Sequence, residues 1–308
     1  MSKVLITGGA GFIGSNLADA LFAKGHQIVI IDDLSSGLKS YVRSEVTFYQ
    51  LDISSDDLEP VFAKEKPDFV FHLAAQIEVA KSMIDPRHDA KINLDGGLKI
   101  LEACRLHEVK KVIFSSTGGA IYGDTDLIPT YENCPTKPLS FYGIHKLTFE
   151  KYLNLYYHNY GLDYSVLRFA NVYGPRQFKG GEAGVIAIFT DNAVSDKTSY
   201  QYGDGLQTRD FVFVADVVEA LISAMKIDYQ GEINISYGLE SSLLDIREAL
   251  SKALDKKILV EEKPAKPGEQ RRSCLDNSLA KKVLNWEPKV NLEEGIEKTV
   301  NWAKNRNS

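Results

Sequence analysis

Cysteine is scarce: Cys104, Cys134 and Cys274 are the only three, and they lie far apart. An odd number without close spacing excludes a disulfide framework, and no Cys-x-x-Cys or Cys/His spacing points to zinc. The three read as small buried hydrophobes in a reducing compartment. The six histidines show no metal-ligand spacing either, so no metal is expected. Basic charge is not in excess: 36 Lys and Arg stand against 42 Asp and Glu, for a net charge of −6. The chain therefore lacks the positive field that non-specific nucleic-acid binding needs. Long apolar runs are also missing. The N-terminal MSKVLITGGAGFIG is too briefly apolar before Gly8 to be a signal core. No later run approaches membrane-spanning length, so no membrane contact is expected and the cytoplasm is the expected location. There is no internal repeat, low-complexity tract or linker.

What is present is a chain of 308 residues, 44% apolar, long enough to bury a large core unaided. Its first half alternates between two periodicities. Lys3–Thr7, His26–Ile31, Val46–Gln50, Asp68–His72, Lys111–Ser115 and Tyr164–Arg168 read as strands, nearly continuous in apolar and β-branched residues. Phe12–Lys24, Asp56–Lys64, Pro86–His107 and Tyr142–Tyr160 read as helices between them. Pro86 suits a first helical turn, where its missing N–H is not needed. Such alternation predicts an α/β, doubly wound Rossmann fold with a parallel sheet covered on both faces. Beyond Asn171 the regularity degrades. Phe211–Val214 and Glu232–Ile235 are expected to return to the sheet, with Asp216 capping the helix between them. The predicted division is a Rossmann domain over 1–173 and 207–236, and a smaller interleaved lobe over 174–206 and 237–308.

Thr7-Gly8-Gly9-Ala10-Gly11-Phe12-Ile13-Gly14 sits between the first strand and the first helix. Its glycines permit a tight turn, close approach of backbone to a pyrophosphate, and close helix–strand packing. The helix N-terminus offers free N–H groups to the phosphates. A glycine-rich turn alone is a weak signal, but here a strand precedes it, a helix follows, and the second strand ends in Asp32. A carboxylate there accepts from both ribose hydroxyls and repels a 2′-phosphate, which favours NAD over NADP. Asp33 beside it is the alternative. Asp52-Ile53 after the third strand and Leu73-Ala74-Ala75 after the fourth are further candidate cofactor contacts.

Tyr142-Gly143-Ile144-His145-Lys146 places a phenol and an amine four residues apart, on one helix face. A free tyrosine, with a pKa of about 10, is a poor base at neutral pH; a nearby ammonium stabilises its phenolate. Lysine can also reach a cofactor ribose. Of the fifteen tyrosines only Tyr142 has lysine at the fourth following position. Ser115-Ser116-Thr117 ends the fifth strand, and a hydroxyl there can share a substrate proton with Tyr142.

Together these motifs resemble the extended short-chain dehydrogenase/reductases, and within them the UDP-glucose 4-epimerases. The resemblance spans nearly the whole chain and is carried by TGGAGFIG, DDLSSG (Asp32–Gly37), FHLAAQ (Phe71–Gln76), FSSTGGAIYG (Phe114–Gly123), YGIHK, LRFANVYGPRQ (Leu167–Gln177) and LNWEP (Leu284–Pro288). It implies a resident NAD, a UDP-sugar substrate, and epimerisation at carbon 4 through a transient 4-keto sugar. Tyr142, Lys146 and Thr117 are then the catalytic residues, with Ser116 the alternative hydroxyl because GGAI before Tyr122 is one residue longer than usual. Ser36, Gly37, Gln76, Asn93, Ser115 and Phe169 join the cofactor pocket. Asn171 and Arg209 match positions that hold the diphosphate, and Lys266-Pro267-Gly268-Glu269 stands where Arg-x-Gly-Asp is usual, placing Lys266 and Glu269 at the nucleotide. Ser273 matches a position where side-chain bulk limits room beside the sugar; a serine there implies space for an N-acetyl group. The family pairs its equivalent helices into a four-helix interface, so a homodimer is expected, with Leu153, Tyr156 and Tyr157 facing outward or into the core.

The rivals are a UDP-glucuronate 4-epimerase, another NAD-dependent nucleotide-sugar dehydratase or reductase, and, in a different class, a non-catalytic NAD-binding sensor. A dehydratase needs an acid just after the catalytic threonine, where this chain has Gly118-Gly119-Ala120-Ile121. A sensor has no need of the Tyr142–Lys146 pair.

Overall fold

A computed structural model describes residues 1–177, 184–265 and 270–306. Its strands, in chain order, are β1 (Lys3–Thr7), β2 (Gln27–Asp32), β3 (Thr47–Gln50), β4 (Phe69–His72), β5 (Lys111–Thr117), β6 (Asp163–Phe169), β7 (Asn171–Tyr173), β8 (Ser199–Tyr202), β9 (Thr208–Phe213), β10 (Glu232–Ile235), β11 (Glu240–Ser242) and β12 (Val260–Lys263). The helices are α1 (Phe12–Ala23), α2 (Glu59–Glu65), α3 (Val79–Ile84), α4 (Pro86–Ala90), α5 (Gly97–Leu106), α6 (Gly118–Ile121), α7 (Phe141–Tyr160), α8 (Val185–Val194), α9 (Val214–Ala224), α10 (Leu243–Leu254), α11 (Ser278–Leu284) and α12 (Leu292–Arg306).

Seven strands form one parallel sheet in the order β10-β6-β5-β4-β1-β2-β3. Chain order reverses between β1 and β4, which creates the crevice where doubly wound sheets bind ligands. Alternate side chains feed two cores, as a doubly covered sheet requires. Val4, Ile6, Ile30, Phe71, Ile113 and Leu167 pack on one face with Leu17 and Leu21 of α1 and Val217 and Leu221 of α9. Leu5, Val29, Ile31, Val70, Val112 and Val166 pack on the other with Phe62 of α2, Leu101 of α5 and Phe149 of α7. A third core joins α8, α10 and α12 to β7 and β9 through Phe189, Leu250, Val300, Tyr173 and Phe213.

Several expectations are corrected. The helix expected over Pro86–His107 is interrupted by a π-helical segment at Lys91–Gly96 between α4 and α5. Among the described residues beyond Asn171, only β10 returns to the main sheet. Its register on β6 (Glu232 with Val166 through Ile235 with Phe169) occupies that edge. The segment expected as Phe211–Val214 is therefore β9, which pairs with β7 and β11 in a separate three-stranded sheet. Asp216 does not cap α9: the N-cap is Phe213, and the Asp216 carboxylate accepts from Val290 N at 3.1 Å, tying α9 to the C-terminal segment. Leu153 and Tyr156 face inward, 1% and 8% exposed, because α7 packs that side on the sheet and α5. Tyr156 donates to Glu102 of α5, and Tyr157 is half-buried against the same core.

α7 itself is well delimited. Ser140 caps its start by accepting from Gly143 N at 3.1 Å, and Gly161 ends it at φ +71°, as helix caps prefer.

Candidate active site

The glycine loop lies at the topological switch. Gly8 adopts φ +71°, and a Cβ there would sit 2.7 Å from Ala74 N and 3.0 Å from the Leu73 carbonyl carbon. The loop thus runs directly over the end of β4, which explains the small residues read there. A Cβ on Gly14 would fall 2.2 Å from Gly8 O, so any side chain would push α1 off the loop. Gly11 caps α1 without a side chain, leaving the first-turn N–H groups, including those of Phe12 and Ile13, open to an anion. Among the glycine positions, Gly37 packs on Ala10 and on Asp32, 2.9 Å from each by the same measure. Ser36 beside it is exposed.

Asp32 and Asp33 separate clearly. Asp32 is buried at the end of β2, and its two oxygens accept from Ala10 N at 2.9 Å and Leu34 N at 2.8 Å. Burial raises its pKa, against the pull of those two bonds. Asp33 is exposed and turns back onto Ser35. Asp32 thus braces the glycine loop. Asp52 holds its own turn, accepting from Ser54 N at 2.8 Å and Ser55 Oγ at 3.1 Å. Ile53 is buried against Gly96.

Gln76 and Asn93 are brought together. Asn93 Oδ1 accepts from Gln76 N at 3.1 Å, and its Nδ2 donates to Gln76 O at 2.9 Å and to Asp89 at 3.1 Å. The π-helical segment supplies Asn93, in keeping with the frequent use of such bulges at functional sites. Asp89, fully buried, also accepts from Gln76 Nε2 at 2.6 Å and pairs with His145 Nδ1 at 2.5 Å. The polar cluster therefore joins the segment after β4 to α7. Ala75 is half-buried beside Gln76, and Phe169 is buried at the end of β6.

Lys146 is 3% exposed and donates to Ser115 O at 2.9 Å. Burial pushes its pKa down to about 8, while Asp89 and Glu150 oppose the fall. Its ammonium lies 5.9 Å from the centre of the half-buried Tyr142 ring. Behind it, His72 is buried and donates to or accepts from Thr7 at 2.8 Å. Burial, with the Lys146 charge adding to it, lowers the imidazole pKa to about 3, so His72 is neutral packing next to the ammonium.

The hydroxyls at the end of β5 alternate. Ser116 Oγ points into the protein and donates to Glu150 at 2.6 Å. Thr117 lies on the opposite side of the strand, half-buried, where it caps α6 by accepting from Ala120 N at 3.2 Å. A Cβ on Gly119 would lie 4.0 Å from Thr117 Oγ1 and 3.9 Å from Asn171 Oδ1. Thr117 and the exposed Asn171 therefore border one open spot, and Ser116 is committed elsewhere.

Arg209 on β9 donates to Thr208 O at 2.8 Å. Ser273 lines a small concavity with Gly118, Gly119, Tyr122, Gly123 and Arg272. Lys266 and Glu269 lie outside the described residues.

The NAD dependent epimerase/dehydratase family model matches residues 4–236, covering the glycine loop, the Tyr142–Lys146 pair and Arg209. The chain belongs to this family. A UDP-glucose 4-epimerase of Mycolicibacterium smegmatis is 44% identical over 99% of both chains. The structure of Thermotoga maritima UDP-glucose 4-epimerase with UDP-glucose superimposes at a TM-score of 0.96, with 42% identity over 99% of this chain and 100% of that one. The Thermus thermophilus UDP-glucose 4-epimerase complex with NAD gives 0.93, with 39% identity over 98% and 99%. The cofactor is NAD, and the loop geometry fits it: two glycines that tolerate no Cβ, a free helix N-terminus, and a buried carboxylate at the ribose end of β2.

Three contributors escaped sequence reasoning. Glu150 stands one helical turn beyond Lys146 on the same face, a spacing that was visible. Arg168 is a charge inside an apolar strand, visible as an anomaly. Asp89 was not singled out, because two of its partners, Gln76 and His145, come from distant segments.

Proposed function

We propose that the enzyme is a UDP-hexose 4-epimerase, interconverting UDP-glucose and UDP-galactose through a transient 4-keto sugar. What supports this reading is the Tyr142–Lys146 pair on the first turns of α7, together with Thr117 and Asn171, which border one open spot. Bound NAD supplies a hydride acceptor and donor at this place. Tyr142 takes the proton of the sugar 4-hydroxyl, and Thr117 hydrogen-bonds that oxygen. Lys146 favours the Tyr142 phenolate by its charge. Arg209 and Asn171 hold the diphosphate, for which a guanidinium fork is well matched. Gly119 leaves no acid beside Thr117, which supports epimerisation over loss of water. Ser273, small and at the cleft wall, supports acceptance of UDP-GlcNAc and UDP-GalNAc as well.

The purified enzyme is expected to convert UDP-glucose, and UDP-GlcNAc, to their 4-epimers without added cofactor, resolved by chromatography. Absence of either epimer from holoenzyme with bound NAD overturns the reading for that sugar.

The enzyme is further proposed to be a cytoplasmic homodimer. Phe141, Ile144 and Leu155 lie on one side of α7 and are 38%, 44% and 51% exposed, apolar surface that burial against a copy would cover. Light scattering should return twice the 34.3 kDa chain mass; a monomer at working concentration sinks the proposal.

A further inference from the structure

Asp210 follows Arg209 on β9 but points away from the cleft, where it is 2% exposed. Its carboxylate is a junction of backbone. Oδ1 accepts from Tyr237 N at 2.9 Å, and Oδ2 accepts from Gly238 N at 3.1 Å and Leu275 N at 3.2 Å. The Cys274 thiol adds a contact at 3.6 Å. The first two amides belong to the turn after β10 and the third to the segment Arg272–Leu275. That segment is tied to the Rossmann side as well, where Thr130 N donates to Cys274 O at 2.9 Å and Asp276 N donates to Thr130 O at 2.8 Å. Further back, Thr208 N donates to Arg271 O at 2.9 Å. One buried carboxylate thus bridges β9, which carries Arg209, to both the turn after β10 and the strap that carries Arg272 and Ser273.

We propose that Asp210 is a positioning residue for the substrate: as a carboxylate it holds the Arg272–Leu275 strap and the Tyr237–Gly238 turn against β9, so that substrate affinity depends on its charge and the chemical step does not. The proposal rests on the UDP-sugar reading above. A neutral acid has a proton on one oxygen, and an amide that faces that proton loses its acceptor. Asparagine has the same defect permanently, since its NH2 would face an N–H. The geometry therefore makes protonation and Asp210→Asn equivalent.

Burial pushes the Asp210 pKa up to about 6, although the Leu275, Tyr237 and Gly238 amides pull the other way. The sign follows: the carboxylate is intact above that value, and the strap loosens as pH falls through it. Among the described residues, the charged and titratable groups around Asp210 are few. Glu240, its partner across β11, is held by Arg272 and Thr208. Arg209 is its neighbour on β9, Asp276 turns to Ser278, Tyr237 contributes its amide, and burial pushes the Cys274 thiol up to about 12, with Asp210 adding to the rise. No histidine lies beyond His158 in the chain, so none in this lobe can titrate in the same range.

The test is the pH dependence, between 5 and 8, of KM and kcat for UDP-glucose, whose esterified diphosphate has no ionisation there. In the wild-type holoenzyme KM should rise on the order of tenfold from pH 7 to pH 5, with kcat changing much less. Asp210→Asn should show the raised KM at pH 7 and lose the pH dependence. A wild-type KM that is flat across this range overturns the proposal. Hydrogen exchange at the Tyr237, Gly238 and Leu275 amides needs neither the variant nor a substrate. Protection lost at pH 5 and kept at pH 7 supports the strap even if UDP-glucose proves not to be the ligand; protection independent of pH overturns it.

Discussion

Tyr142→Phe should abolish measurable epimerisation, lowering kcat by about 10²- to 10⁴-fold, the range for loss of a positioned acid–base group. On the proposed reading the phenol is the acid–base group at the sugar 4-hydroxyl, and the Lys146 ammonium lies 5.9 Å from its ring centre. The lysine ammonium is committed to Ser115 O and the Ser116 hydroxyl to Glu150, so neither can replace it. The substitution removes a single oxygen from a half-buried ring, and NAD content measured after denaturation should remain at the wild-type level. Activity within tenfold of wild type would remove Tyr142 from the mechanism. A second readout is the alkaline limb in the wild type. Because burial sets the Lys146 pKa at about 8, its charge is present below that value and is lost above it. Turnover should therefore fall as pH rises through 8.

Arg168→Leu is expected to be the most destabilising single change at the site, by about 3–5 kcal/mol, the usual result of stranding one member of a buried ion pair. Arg168 and Glu150 have side chains only 2% and 0% exposed. The guanidinium donates to both Glu150 oxygens, at 3.0 Å and 2.6 Å, and to Tyr122 OH at 2.9 Å. Burial alone would lower the arginine pKa, but Glu150 more than reverses it, and the guanidinium is held above its ordinary value. Removing it leaves a carboxylate buried one turn from Lys146. Adding Glu150→Leu should restore much of the loss, since two apolar residues of similar volume often replace such a pair at little cost. Urea midpoints of the single and double variants decide this. A double variant no more stable than Arg168→Leu would show that the pair contributes more than mutual neutralisation.

The Rossmann core was legible because its signals are local. Lys3–Thr7, the glycine loop and the β2 terminus at Asp32 occupy one short stretch, and each strand's apolar run states that both its faces are covered. That Tyr142 and Lys146 share one face of α7 was legible for the same reason, since they are four residues apart. What escaped were facts decided by edges and by distant partners. Phe211–Val214 looks like any other buried strand, and nothing in its composition says that β10 already holds the β6 edge. Asp216 looks like a cap, and its real partner is Val290. The π-helical turn at Lys91–Gly96 leaves the apolar pattern of a helix almost unchanged, so periodicity could not find it. That Ser116 is spent on Glu150 while Thr117 lies on the other side of β5 follows from where α7 packs, which is a tertiary fact.

The late arrival of β10 has a consequence for synthesis. β6 ends at Phe169, and the strand that covers its edge begins at Glu232. While the ribosome produces β7, β8, β9 and α9, the nascent sheet carries β6 as an open edge, the kind of unpaired strand that recruits other chains. Arg168, an inward-facing charge on that strand, makes it a poor template for a stray apolar strand until Glu232–Ile235 emerges to close it.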